Sequence, residues 1–449
     1  MTAPNDSDIV LTPETALALS EKFVGSMPVY PGGHASRGIV ICGGGIRYFT
    51  CAWVCIRMLR RLGCGLPAQI WHLGKRELDR RMAELVRPFK VECIDATAVR
   101  NRHPVRILNG WELKPFAILH CPFKEVLLLD ADNVPVVNPE FLFETPEFRQ
   151  TGAIFWPDFG RLEPHRPIWR ICGVAYRDEP EFETGQLLMD KERCWRALQL
   201  TMWFNEHSDF YYHYVHGDKE TFHLAFRKLG QPYSMPATPI YPLDDTMCQH
   251  DFDGRRVFQH RNLDKWNLFE PNKAIGDFQY EDECRAYIRE LRRLWNGRIG
   301  DERCSPSGRT PGELAALRQL TESQFDYHRV GYDRRSMSFL PDGTIGVGAA
   351  ACERLWDLKS EDGNVILEVA GEEDTVCRLR QSADGVWRGR WLRFEQMPIE
   401  LTPDLGGNWS KADETERTRP AIGLRANLLR RTCGHMPTNT RALGSYGLA

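Results

Sequence analysis

The chain lacks any long apolar run, and no basic start leads into one: residues Met1 to Asp8 read Met-Thr-Ala-Pro-Asn-Asp-Ser-Asp. Neither a signal peptide nor a membrane anchor is therefore expected. It also lacks a Cys-x-x-Cys pair. Its fourteen cysteines are scattered through apolar stretches, as at Cys42, Cys51, Cys55 and Cys93. That pattern argues against a disulfide framework or a zinc site and for a reduced, cytoplasmic protein. Charge of one sign is missing too, with 58 basic against 61 acidic residues in 449, so there is no global field for nucleic acid. Arg57, Arg60 and Arg61 form a local cluster that reads as a solvated helix face, with contact to a membrane surface as the alternative. No P-loop Gly-Lys-Ser/Thr occurs, and the run Gly43-Gly44-Gly45-Ile-Arg47-Tyr48 does not complete Gly-x-Gly-x-x-Gly. A dinucleotide dehydrogenase is weakly supported on that ground.

What is present begins with Lys124-Glu-Val-Leu-Leu-Leu-Asp130-Ala-Asp132-Asn133, an apolar strand delivering two aspartates at its carboxyl end. Side chains two apart on a strand share a face, so Asp130 and Asp132 can converge on a hard divalent cation such as Mg²⁺ or Mn²⁺. Upstream, an apolar strand from Gly38 runs into Gly43, Gly44 and Gly45 and then an amphipathic segment from Phe49 to Leu62. Glycines there let backbone N–H groups approach a nucleotide or phosphate. Downstream, Glu183-Thr-Gly185-Gln186 offers a carboxylate and an amide suited to a hydroxylated ligand. Gly217-Asp218-Lys219-Glu220-Thr-Phe222 and the late His260 and Lys265 complete the set. An imidazole can finish the coordination of a Mn²⁺-like ion, and a lysine can neutralise a departing diphosphate.

In that order these motifs resemble a GT-A glycosyltransferase, and more closely glycosyltransferase family 71, the fungal-type α-mannosyltransferases. The matching residues include Asn109-Gly-Trp-Glu-Leu-Lys114-Pro-Phe-Ala-Ile-Leu119, Leu128 to Asn133, Glu183 to Gln186 and Gly217 to Phe222, within a span from Arg37 to Phe269. The resemblance implies a Rossmann-like mixed sheet flanked by helices. It also implies a metal-dependent, retaining transfer of a sugar, with GDP-mannose as the favoured donor, to a hydroxyl of a glycan or glycoconjugate. On this reading Asp130, Asp132 and His260 hold the metal, and Lys265, Asp130, Lys114, Arg47 and the three glycines serve the donor and its phosphates. Glu183, Gln186 and Asp218 line the sugar, and one of the three supports the anomeric centre. Trp156 and Asp158 are candidates for the acceptor side, and the aromatic run Trp203 to Tyr214 is either an acceptor platform or a packed helix. The fungal enzymes are anchored in a lumenal compartment, which this amino end does not suggest. Three other readings stay open: a UDP-sugar donor, a glycoside hydrolase, and a non-catalytic sugar-binding protein.

The expected organisation is a partly flexible leader over residues 1–36, the catalytic domain over 37–300 with a surface helix near its end, and a linker over 301–335 with a helix near Glu313 to Leu320. A small β-rich module over 336–403 and a mobile tail over 404–449 follow. In the module, segments around Ser336, Val365, Thr375 and Trp387 read as short strands with an Asp342-Gly343 turn. Trp356, Trp387 and Trp391 read as its core, with sugar stacking as the alternative.

Overall fold

The computed structural model describes residues 11–299 and 309–404, apart from 35, 270, 342, 351, 362, 372–374 and 393–396. The expected tail beyond 404, the first ten residues of the leader and Asp342 lie outside the described residues. The chain divides into two compact units, Met1–Trp295 and Asn296–Ala449.

The first unit is built on a mixed sheet, as expected of a GT-A-type domain. Strands β1 (Ser36–Cys42), β2 (Ala68–His72), β3 (Val91–Asp95), β4 (Phe123–Asp130), β6 (Ala153–Pro157) and β7 (Phe182–Asp190) form it. They lie in the order β3-β2-β1-β4-β7-β6. The first four are mutually parallel, and β7 runs antiparallel to both β4 and β6. Ile39 to Ile41 and Val126 to Leu129 are wholly buried, so β1 and β4 read as continuous apolar runs rather than alternating ones, because helices cover both faces. A second, antiparallel sheet joins β5 (Asn133–Pro135), β8 (Tyr241–Leu243), β9 (Thr246–His250) and β10 (Arg256–His260) in the order β5-β10-β9-β8. Its register sets His260 opposite Asn133.

The leader is more ordered than its composition suggested. A helix spans Ala16–Ser26, and Ala16, Leu19, Phe23 and Met27 pack with Trp169, Trp203 and Phe204 in one cluster. Their three- and four-residue spacing is a helix face, diluted in the sequence by intervening polar residues. The arginine cluster also has internal duties. On the helix Gly45–Arg61, Arg57 pairs with Glu290 and Arg61 with Glu283. Arg60 donates to the carbonyls of Cys64, Leu66 and Phe89. The two glutamates lie on the helix Glu281–Leu294, which buries Cys284, Ile288 and Leu291.

The second unit is an antiparallel sheet of seven strands: β11 (Gln324–Arg329), β12 (Asp333–Ser338), β13 (Leu355–Glu361), β14 (Asn364–Ala370), β15 (Thr375–Gln381), β16 (Trp387–Trp391) and β17 (Pro398–Pro403). It begins twelve residues before the expected boundary at Ser336, because β11 pairs with both β12 and β17. The helix Pro311–Glu322 packs its Ala316 and Leu320 onto the same core. Trp356, Trp387 and Trp391 are buried in that core, which leaves them no face for a sugar.

Candidate active site

Strand β4 ends at Asp130, and Asp132 follows in the turn before β5. The two carboxylates therefore converge through a tight strand–turn–strand corner and not by sharing one strand face. Pairing of β5 with β10 then carries His260 to them. Its Nε2 lies 3.3 Å from Asp132 Oδ1 and 3.8 Å from Asp130 Oδ2. One potential ligand atom from each of the three residues falls within 4.8 Å of the others. The backbone N–H of Arg261 donates to Asp132 O at 3.0 Å and fixes the turn.

Two lysines flank the cluster. Lys114, on the helix Leu113–His120, is buried and donates to Asp130 Oδ2 at 3.0 Å; it also lies 3.4 Å from Asp218 Oδ2. Burial would lower its pKa, but Asp130 and Asp218 outweigh that and hold it charged. It sits beneath Asp130, bridging two carboxylates rather than facing open space. Lys265 pairs with Asp132 and donates to Asn262 O at 2.6 Å. Its partner in this structure is thus a carboxylate in the place the sequence reserved for a phosphate.

Electrostatics in the cluster are set by this crowding. Burial raises Asp130 despite Lys114. Burial also acts to raise Asp132, but His260 and Lys265 override it and hold that carboxyl well below the ordinary range. His260 would be neutralised by burial alone; Asp132 and Glu183 instead lift it to about 10. The carboxylates Asp130, Asp132, Glu183 and Asp218 face two lysines here. With His260 neutral and all four carboxylates ionised, two negative charges remain, which one divalent cation would balance. Two carboxylates suit a hard divalent cation and an imidazole can complete the coordination of a Mn²⁺-like ion, so the residues present fit Mn²⁺.

The predicted sugar-lining residues part company. Glu183 accepts from Gly185 N at 2.7 Å, and its Oε1 lies 3.5 Å from His260 Nδ1. At that length it orients the ring more than it bonds it. Gly185 is obligatory for the same packing, since a Cβ there would stand 2.4 Å from His260 Nδ1. Gln186 is wholly buried, with its Oε1 accepting from Asn133 Nδ2 at 2.7 Å. Its Nε2 has no hydrogen-bond partner among the described residues. Asp218 starts the helix Asp218–Leu229 and accepts from Thr184 Oγ1 at 2.7 Å.

At the glycine turn, Gly43 N donates to Trp71 O at 3.0 Å and Gly45 N to Glu77 O at 2.7 Å. Two of the three N–H groups are therefore used internally. The Glu77 side chain also closes over Gly44, where a Cβ would stand 2.3 Å from Oε2. A carboxylate at that spot repels a phosphate. Arg47 lies in the first turn of the helix that follows.

Trp156 is a correction: it is fully buried and its Nε1 donates to His250 O at 2.8 Å, so it serves packing and offers no acceptor surface. Asp158 pairs with Lys219. The aromatic run from Trp203 is a packed helix end, Lys191–Glu206, followed by the short helix Ser208–Tyr211.

Sequence reasoning placed Glu181 and Thr184 in the candidate ligand loop without giving either a role, and it missed Arg261. Arg261 is buried with its guanidinium 3.7 Å from the Trp266 ring centroid. Its signal was its neighbour, since Trp266 five residues on supplies the stacking face.

Residues 36–173 and 174–244 match the family described as "Mannosyltransferase putative"; His260 and Lys265 lie beyond the matched span. Among curated proteins, the chain is 29% identical over 261 residues to alpha-1,2-mannosyltransferase MNN24 of Candida albicans, covering 48% of this chain and 37% of that one. It is 26% identical over 319 residues to alpha-1,2-mannosyltransferase MNN5 of Saccharomyces cerevisiae, covering 55% and 54%. The chain thus spans about half or less of the length of these relatives. Solved structures with some likeness include the Mn/GDP form of core-mannan synthase A from Aspergillus fumigatus, at 7% identity and TM-score 0.35, covering 59% of this chain and 87% of that one. GlyE of Streptococcus pneumoniae, in its apo form, reaches 12% identity and TM-score 0.38, covering 58% and 64%. Likeness at such scores bears on neither donor nor acceptor. The family match and the two relatives rest on sequence, and over its residues 36–244 the chain is similar to the fungal-type mannosyltransferases.

Proposed function

We propose that this chain is a metal-dependent glycosyltransferase that moves mannose from GDP-mannose, with retention, to a hydroxyl of a glycan or glycoconjugate. The observation that carries the reading is the convergence of Asp130, Asp132 and His260 within 4.8 Å, flanked by Lys114 and Lys265. Mn²⁺ or Mg²⁺ held by those three residues would stabilise negative charge on the departing diphosphate. Transfer breaks the bond from C1 to the phosphate oxygen and forms one from C1 to the acceptor oxygen; the acceptor's proton leaves with the diphosphate. Lys265 exchanges its carboxylate partner for phosphate as charge develops, which stabilises the transition state more than the ground state. Asp218, held by Thr184 and Lys114, presents fixed negative charge toward the anomeric carbon.

The relatives' printed names support mannose, and the guanine base follows from the resemblance at the level of motifs. We place the protein in the cytoplasm on its thiols: of the twelve free cysteines among the described residues, nine are buried, and burial holds Cys51 at about 12, unreactive in either direction.

A thermal-shift screen of GDP-mannose, UDP-glucose and other nucleotide sugars, each with and without Mn²⁺, tests the donor. A ligand of the native state raises Tm by mass action, so the expected result is a shift with GDP-mannose that needs the ion. A UDP-sugar shifting alone would change the donor. Asp132→Ala should lower turnover by about a hundredfold or more while the far-UV spectrum stays native. Normal turnover in that variant would remove the metal from the proposal.

A further inference from the structure

The start of the helix Asp218–Leu229 is flanked by two groups of side chains that the donor and the ion do not use. On one flank lies Trp111, whose ring would stand 3.0 to 3.3 Å from a Cβ placed on Gly217. Its ring meets Tyr212 edge-on with centroids 5.7 Å apart. Despite these contacts Trp111 is 48% exposed. An indole held on one side and open on the other is costly to leave in water. Only a residue without a side chain at 217 lets the ring lie this close to the helix start.

On the other flank, Lys219 pairs with Asp158 and with Glu181 Oε2 at 2.7 Å, and Glu220 Oε1 stands 3.8 Å away. Three carboxylates share one ammonium. Between the flanks Asp218 contacts Lys114, which reaches Asp130. Both groups therefore border the residue that connects the helix to the cation cluster.

We propose that Trp111 is the stacking platform for the acceptor sugar. The C–H face of a hexose packs on an aromatic ring, and its hydroxyls donate well to carboxylates. This inference rests on the sugar-transfer reading above, but it concerns a separate ligand and has its own readout.

The test uses the full chain, with methyl α-mannoside as the probe, in saturation-transfer NMR and in kinetics with GDP-mannose. Wild type should show saturation transfer to methyl α-mannoside. Trp111→Ala should abolish that signal, raise the acceptor KM by about tenfold and lower the ratio of transfer to donor hydrolysis. Trp111→Phe should restore binding to within about threefold, since a ring face remains. An unchanged signal in Trp111→Ala overturns the platform. So does an equal fall of transfer and hydrolysis, the mark of a merely structural role, or a lowered sedimentation coefficient in the variant, the mark of an interface between copies. If wild type binds methyl α-mannoside yet turns over no nucleotide sugar, the transfer reading fails and the platform stands.

Discussion

Gly185 shows how much one missing side chain decides. Its place in β7 allows the His260 ring to lie against the backbone, where a Cβ would be 2.4 Å from Nδ1. Gly185→Ala should push the ring off Asp132 and cost about 1–3 kcal/mol of stability, as overpacking does. Isothermal titration with Mn²⁺ should show affinity falling by about tenfold or more, because the imidazole no longer meets the two carboxylates. Proton competition at the same ring fixes the pH dependence. His260 is raised to about 10 in the folded protein without metal, against an ordinary value near 6.5. Its contribution to stability is therefore complete below about pH 6.5 and is lost as pH rises through about 10. A metal must displace that proton, so Mn²⁺ affinity should rise by up to about tenfold per unit between pH 7 and 9. A flat titration would show that the imidazole is not a ligand. At this scale the sequence was most legible where chemistry is dense. Asp130, Asp132 and His260 could be read as a set from residue type and order. Gln186 could not, because its amide gave no sign that Asn133 would hold it inside the sheet.

Elements were legible where apolar residues form unbroken runs, and blurred where they alternate. Strand β4 stands out through Val126 to Leu129, all buried. Strand β11 reads Gln-Phe-Asp-Tyr-His-Arg, with Phe325 and Tyr327 inward, a period-two pattern short enough to pass for a linker. The leader helix was lost for a related reason, since its apolar face at Ala16, Leu19 and Phe23 becomes visible only once Trp203 is known to cover it. The helix Pro311–Glu322 has clearer punctuation. Thr310 caps Glu313 N at 3.2 Å, and the Glu313 carboxylate returns to Thr310 N at 2.8 Å, with proline at the first helical position. Thr310→Ala should therefore destabilise the second unit by about 1 kcal/mol, seen as an earlier midpoint in chemical denaturation followed by tryptophan fluorescence. An unchanged midpoint would mean that the packing of Ala316 and Leu320 alone holds this helix.

At the scale of the whole molecule, the division at Trp295 and Asn296 has a functional consequence. Every group assigned to the cation, the diphosphate and the anomeric centre lies before it, from Lys114 through Lys265. So does the helix Glu281–Leu294, whose arginine pairs and buried face finish the first unit's core. The cluster around β1 and β4 is built wholly from residues of that unit, and the second unit owns a separate core. A chain ending at Trp295 thus retains each partner that sets the pKa of His260 and each carboxylate of the cation cluster. Residues 1–295 expressed alone should bind Mn²⁺ with affinity within about threefold of the full chain, because separate cores lend themselves to separate folding. The same fragment should keep the Asp132 dependence of that binding. A native-like fragment with binding lost would assign part of the cation site's integrity to the second unit, a role that none of its own core contacts requires.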